Sequence, residues 1–114
     1  MSTTDLPDLP EVIDRYQRAH DRHDTEASLS TFTADATVID DGNTYVGVEQ
    51  IRQWLDRAAS EYTYTRTLTG IDLDGSDTVV THNHIEGNFP GGEVDLHYRF
   101  ELRDGDIHRL EIGP

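Results

Sequence analysis

Residues 93–102 alternate without a break. Val94, Leu96, Tyr98, Phe100 and Leu102 take one side; Glu93, Asp95, His97, Arg99 and Glu101 take the other. A period of two sends successive side chains to opposite faces, so this segment predicts a strand with one dry and one wet face. Such a strand belongs in an antiparallel sheet covered on one side only. Asp74-Gly75, Pro90-Gly91-Gly92 and Asp104-Gly105 surround it as turn signals, because glycine accepts positive φ without steric cost. They divide residues 61–112 into four strands. In the first, Tyr62, Tyr64, Arg66 and Leu68 alternate with Thr63, Thr65, Thr67 and Thr69. The second covers 78–88, and the last covers 107–112 with Leu110 and Ile112 inward.

The N-terminal half has a different period. Leu9, Val12, Ile13, Tyr16, Ala19, His20 and His23 recur at three and four, one face of a helix over 9–22 with Pro10 in its first turn. Tyr16 then points inward, and its hydroxyl needs a partner. His20 and His23 fall at the C-terminal end, where they suit the helix dipole. Asp24 can cap a second helix over 25–33, with Leu29 and Phe32 as its buried pair. Residues 37–40 read as a short strand closed by the Asp41-Gly42 turn and a return through Thr44-Tyr45-Val46. A third helix spans 48–60, with Ile51, Trp54, Leu55 and Ala58 on its inner face. Val38 and Asp40 share a strand face, so if Val38 is interior Asp40 is too. An inward carboxylate is costly without a partner or a purpose.

A chain of 114 residues allows one core and one pocket. The organisation expected is a polar, flexible segment over 1–8 and a single α+β domain over 9–114. Three helices lie against a curved antiparallel sheet that closes as a cone around a pocket. The net charge is −14, with nine Arg and no Lys. That balance speaks against nucleic acid or an anionic membrane as partner and fits a solvated acidic surface. There is no apolar run near the ~20 residues of a membrane helix and no signal-peptide pattern, so the expected location is cytoplasmic. Cys is absent, which excludes disulfides and thiol chemistry.

Three groups of residues resemble the nuclear transport factor 2-like superfamily, in its SnoaL-like and ketosteroid isomerase-like branch. They are Phe32-x-Ala34-Asp35-Ala36-Thr37-Val38-x-Asp40, then Gly47-x-Glu49-x-Ile51-x-x-Trp54, then Tyr98-x-Phe100 with Asp104-Gly105. The resemblance implies a tyrosine on the first helix as oxyanion donor, at Tyr16. It implies a proton-shuttling carboxylate at the end of the first strand, at Asp40. Phe32 and Trp54 fall where that family places pocket aromatics, and Val38, Leu55, His82, His84, Leu96 and Tyr98 complete the expected lining. The sequence departs from the isomerases at Leu96, where they carry a second, protonated Asp; Asp95 beside it should face outward. It departs again at Leu55, where some carry a supporting tyrosine. The family also implies a homodimer through the outer sheet face.

The Tyr16–Asp40 pair suits proton transfer beside a carbonyl. The alternatives are a structural Tyr–Asp hydrogen bond or Asp40 capping its turn. His82, His84 and Glu86 share a strand face, with His97 on the next strand. Their spacing favours an exposed face or a polar pocket wall over a metal centre, and no metal or other cofactor is expected. Arg66 suits pairing with a pocket or interface carboxylate, with a surface salt bridge as the default. The function expected is therefore cofactor-independent isomerisation, cyclisation or dehydration of a small hydrophobic carbonyl compound, polycyclic or terpenoid in size. The alternative is a non-catalytic module of the same fold that binds a small ligand or a protein.

Overall fold

A computed structural model describes residues 9–61, 63–75 and 77–114, with the side chains of 58–61 excepted. The N-terminal segment 1–8, the Ala58 side chain and Tyr62 lie outside the described residues. The elements run α1 (Glu11–Asp21), α2 (Thr25–Leu29), β1 (Phe32–Asp40), β2 (Asn43–Val46), α3 (Gly47–Glu61), β3 (Tyr64–Asp74), β4 (Thr78–Gly87), β5 (Glu93–Arg103) and β6 (Asp106–Gly113). No described helix is long and apolar enough to cross a membrane.

Pro10 stands at the N-cap of α1, where its missing N–H costs nothing. The buried face is Val12, Ile13, Tyr16 and Ala19, as the periodicity predicts, joined by Gln17. Asp24 caps α2 by accepting from the Ala27 N–H at 3.0 Å. This helix is shorter than expected. It ends at Leu29, and Phe32 opens a nine-residue strand. Thr31 and Thr33 disfavour a helix because branching at Cβ costs χ1 freedom. The Thr31 hydroxyl instead donates to the Ser28 carbonyl at 2.6 Å, and the Thr31 carbonyl accepts from the Ile107 N–H at 2.8 Å. At the start of α3, the Gln50 side chain reaches back to accept from the Val46 N–H at 2.8 Å, satisfying a backbone donor at the chain's entry to the helix.

The strands form one curved sheet in the order β2-β1-β6-β5-β4-β3. Asp41 (φ 53°) with Gly42 (φ 78°), and Asp104 (φ 53°) with Gly105 (φ 85°), each supply two consecutive positive-φ residues. Both are two-residue loops, matching the hairpin turns that suit strand twist. The sheet is mixed, where hairpin logic predicts antiparallel pairing throughout. β1 runs parallel to β6, with Val38 opposite Leu110 and Asp40 opposite Ile112. Thr69 in β3 and His108 in β6 are extra residues in their ladders. Such bulges bend a strand and strengthen its twist, which curves the sheet over the helices.

The inner face carries Val38, Leu110, Phe100, Tyr98 and Val79, packed against Ile13, Tyr16, Ile51, Trp54 and Leu55. Thr81 and Asn83 are also inward and almost fully buried. Thr81 donates to the Gln17 side chain at 2.9 Å, Asn83 donates to Thr81 at 3.2 Å, and Arg66 donates to Asn83 at 2.9 Å. Arg66 also grips Asp21 with two bonds of 2.9 and 2.8 Å. Its side chain is only 11% exposed. Arg66 is thus an inner-face residue that ties the end of α1 to the sheet, where a surface salt bridge was expected.

Candidate active site

The curved sheet and the helices leave an open-mouthed cavity of about 220 Å³. Its wall is largely apolar, from Ile85, Phe89, Val94, Leu96 and Ile112. Five polar side chains also reach it: His20 from α1, Asp40 from the last position of β1, Trp54 from α3, Tyr64 from the start of β3, and Tyr98 from β5. An apolar recess with a few converging polar groups is the usual form of a small-molecule site. An engineered cavity of about 150 Å³ holds one benzene, so this one suits a mono- or bicyclic skeleton of roughly nine or ten heavy atoms.

Asp40 is held by Trp54, whose indole N–H donates to its carboxylate at 3.0 Å. Trp54 lies against Tyr45 on one side, centroids 6.1 Å apart, and stacks on His20 at 6.0 Å. The Nδ1 of His20 lies 2.7 Å from the Tyr64 hydroxyl. Burial pushes His20 down to about 4; the Asp21 carboxylate works against that shift, while His23 and Arg66 add to it. The ring is therefore neutral near pH 7. Tyr98 is 6% exposed and its hydroxyl makes no side-chain hydrogen bond among the described residues. Burial pushes its phenol up to about 12, with Arg66 opposing and Asp21 and Asp40 assisting. It stays protonated and able to donate.

Tyr16 is placed differently from the expectation. It is 1% exposed and lies behind the cavity wall, its ring edge-on to Phe32 and Phe100. Its hydroxyl is buried without a hydrogen-bond partner among the described residues, so it does not bond Asp40. Burial raises its pKa well above the usual value, and the nearby Tyr98, Tyr64 and Asp40 raise it further. Of the cavity residues, His20 lies against the Tyr16 ring at 5.7 Å, although Tyr16 does not itself line the cavity.

Of the expected lining, Trp54, Leu96 and Tyr98 stand in the wall beside Asp40, whereas Phe32, Val38, Leu55, His82 and His84 do not. Phe32 and Val38 are core residues, because the strand begins at Phe32 and carries both under the helices. Leu55 is buried on the far side of α3, facing a small recess beside α2. His82 and His84 alternate with the buried Thr81, Asn83 and Ile85, so they lie on the outer face. There His82 meets Asp72 at 2.7 Å, and His84 meets Asp95 at 2.7 Å and Glu86 at 3.1 Å. Asp95 faces outward, as the alternation predicts. His84, Glu86 and Glu93 lie close enough together to share a cation, but Glu86 and Glu93 are exposed, His84 is half-buried, and all three lie on the outer face of the sheet.

Six wall residues were not expected in the lining. His20 occupies the predicted inner helical face, Tyr64, Ile85, Val94 and Ile112 follow strand alternation, and Phe89 sits in a turn with no periodic signal.

A sheet folded over three helices, with a carboxylate in an aromatic cavity at its open end, defines a class of small pocket proteins with a ketosteroid isomerase-like fold. The sequence matches the SnoaL-like domain over residues 13–110, and the chain belongs to that family. A protein from Sinorhizobium meliloti provisionally described as a polyketide cyclase is 36% identical, with a TM-score of 0.87 over 92% of this chain and 95% of that one. A protein of ketosteroid isomerase-like fold from Catenulispora acidiphila, solved with trimethylamine, is 24% identical, with a TM-score of 0.82 over 94% of this chain and 87% of that one. SalBIII, an epoxide hydrolase/cyclase-like enzyme of salinomycin pyran-ring formation, shares the fold at 18% identity and a TM-score of 0.78, over 90% of this chain and 86% of that one. None of the functionally curated proteins matches the sequence.

Proposed function

We propose that this protein is a cofactor-independent acid/base enzyme acting on a small carbonyl compound, with Asp40 as the base and Tyr98 as the oxyanion donor. The observation that carries this reading is the Asp40 carboxylate in an apolar cavity, gripped by the Trp54 indole at 3.0 Å, with the uncommitted Tyr98 phenol in the same wall. The Asp40 carboxylate takes a proton from the carbon next to the carbonyl, and the released pair moves onto the carbonyl oxygen. The Tyr98 hydroxyl donates to that oxygen as charge develops. Return of the proton to the same carbon gives exchange, and return elsewhere gives isomerisation. Attack of the enolate on a second carbonyl gives cyclisation. Tyr16 acts from behind the wall and matters less than Tyr98.

The test is deuterium uptake at the α-carbon of 1-indanone in D2O, followed by proton NMR. Wild-type protein accelerates uptake above buffer, and Tyr98→Phe lowers the rate about 10²-fold, the scale of one oxyanion donor. No acceleration with 1-indanone or other mono- and bicyclic ketones contradicts the proposal.

A second reading, a binding module for a small organic cation, is favoured by the same carboxylate among the rings of Trp54, Tyr64, Tyr98 and Phe89. It also draws support from the relative solved with trimethylamine. Trp54 is the only tryptophan, so its fluorescence reports occupancy. Saturable quenching by trimethylammonium without exchange activity favours this reading over the enzyme.

A further inference from the structure

We propose that His20 and Tyr64 form a second donor subsite of the cavity, and that the natural ligand is a small bifunctional molecule carrying a carbonyl and a second hydrogen-bond acceptor. This rests on the Asp40 reading for the carbonyl end only. The argument is a proton count. A neutral imidazole holds one N–H and a phenol holds one O–H. The two groups are 2.7 Å apart, so one of these protons lies between them. If Tyr64 donates to Nδ1, the ring carries its proton on Nε2. If Nδ1 donates, the Tyr64 O–H is released. In either tautomer one donor is left over, and both residues stand in the cavity wall. No hydrogen bond among the described residues uses it, so it is available to a ligand in the cavity.

The subsite is also fixed in place. The imidazole is sandwiched by position: it stacks on Trp54 and is tilted against Tyr16 at 5.7 Å and Tyr64 at 6.2 Å. Tyr64 is in turn held by the backbone, because Gly87 opposite it is packed so closely that a Cβ there would meet Tyr64 at 2.7 Å. The titratable and charged groups around the pair are Asp21 at the end of α1, His23 just after it and Arg66 on β3, while Asp40 lies beyond Trp54. Burial keeps the imidazole neutral. The cavity therefore offers one strong acceptor, Asp40, and two separate donors, Tyr98 and the His20–Tyr64 pair. A ligand that satisfies all three bears an acidic C–H beside one oxygen and carries a second oxygen elsewhere on the skeleton. Hydroxy ketones and diketones have that form. In a cyclisation or dehydration the second oxygen is the one that gains the proton, as the acceptor carbonyl or the departing hydroxyl.

The experiment compares 1-indanone with its ring-hydroxylated isomers, titrated against Trp54 fluorescence in wild-type protein and in Tyr64→Phe, and against chemical-shift changes in His20→Phe, where the stacking partner of Trp54 has changed. The phenylalanine at 20 keeps a flat ring on Trp54 while removing both nitrogens. At least one hydroxylated isomer binds wild type about three- to tenfold tighter than 1-indanone, the worth of one neutral hydrogen bond. That gain, taken as the ratio of the hydroxylated isomer to 1-indanone within each protein, disappears in His20→Phe and falls in Tyr64→Phe. The inference is overturned if no hydroxylated isomer gains affinity, or if the gain survives in both variants. The deuterium assay separates the two proposals. Exchange without any hydroxyl gain leaves Asp40 as the base and removes the second subsite. A hydroxyl gain without exchange keeps the subsite and removes the base.

Discussion

Tyr16, His20 and Asp40 carry the account at the scale of single residues. A buried hydroxyl with no partner loses its hydration and gets nothing back, at a cost of about 1–3 kcal/mol. Tyr16 is in that position. Tyr16→Phe should therefore leave stability unchanged or raise it by up to ~1–2 kcal/mol in urea denaturation; a loss of that size would show a hidden partner. His20 gives a pH signature. Its folded pKa of about 4 lies below the ordinary value of 6.5, because burial disfavours the charged ring. Between these values the unfolded chain binds a proton that the native state does not. Stability then rises with pH across that window, is fully present above pH 6.5, and is lost as pH falls towards 4. The full span is worth roughly 3 kcal/mol at about 1.4 kcal/mol per unit. Unfolding free energies of wild type minus His20→Phe should show that slope between pH 4 and 6.5; a flat difference contradicts the burial assigned to the ring. The sequence showed His20 on the inner helical face, but its place at the helix end suggested a dipole contact. Only the three-dimensional approach of Trp54 and Tyr64 makes it a cavity residue.

Elements were legible where one periodicity ruled. The β5 alternation, both Asp-Gly hairpins and the inner face of α1 follow from sequence alone. β1 was misread at its start because Phe32 fits both a helix face and a strand. The parallel β1–β6 pairing was hidden because local turn signals report only neighbours in sequence, and this pairing joins residues some seventy apart. Arg66 alternates with Tyr64 and Leu68 on the dry face, yet its charge suggested solvent. The structure resolves that conflict with Asp21 and Asn83, which satisfy the guanidinium where α1 meets β3 and β4. The contact is asymmetric, since Arg66 is 11% exposed and Asp21 35%. Asp21→Asn strands the more buried charge and should cost about 1–3 kcal/mol. Arg66→Met leaves the Asp21 carboxylate to water but strips the buried Asn83 oxygen of a donor, so it should cost a comparable amount. Thermal melts of the two variants check this, and an unchanged melting temperature in either would contradict the role assigned to Arg66.

At the scale of the whole molecule, bulges and a parallel closing strand curve one sheet over three helices, and the open end becomes a cavity whose wall sets the Asp40 carboxylate among aromatic rings. The family resemblance pointed to Asp40 and Trp54, and both stand in the cavity wall. It could not show that Tyr98 rather than Tyr16 reaches the cavity surface, because that depends on how the α1 side chains pack against Phe32 and Phe100. The central claim is that the Asp40 carboxylate moves a proton. The most direct measurement is the α-carbon deuterium exchange rate of 1-indanone in Asp40→Asn relative to wild type, at ketone concentrations that Trp54 fluorescence shows to be saturating. The account predicts a fall of about 10²–10⁴, the usual contribution of a positioned base, with binding retained. An unchanged rate with binding intact would contradict it.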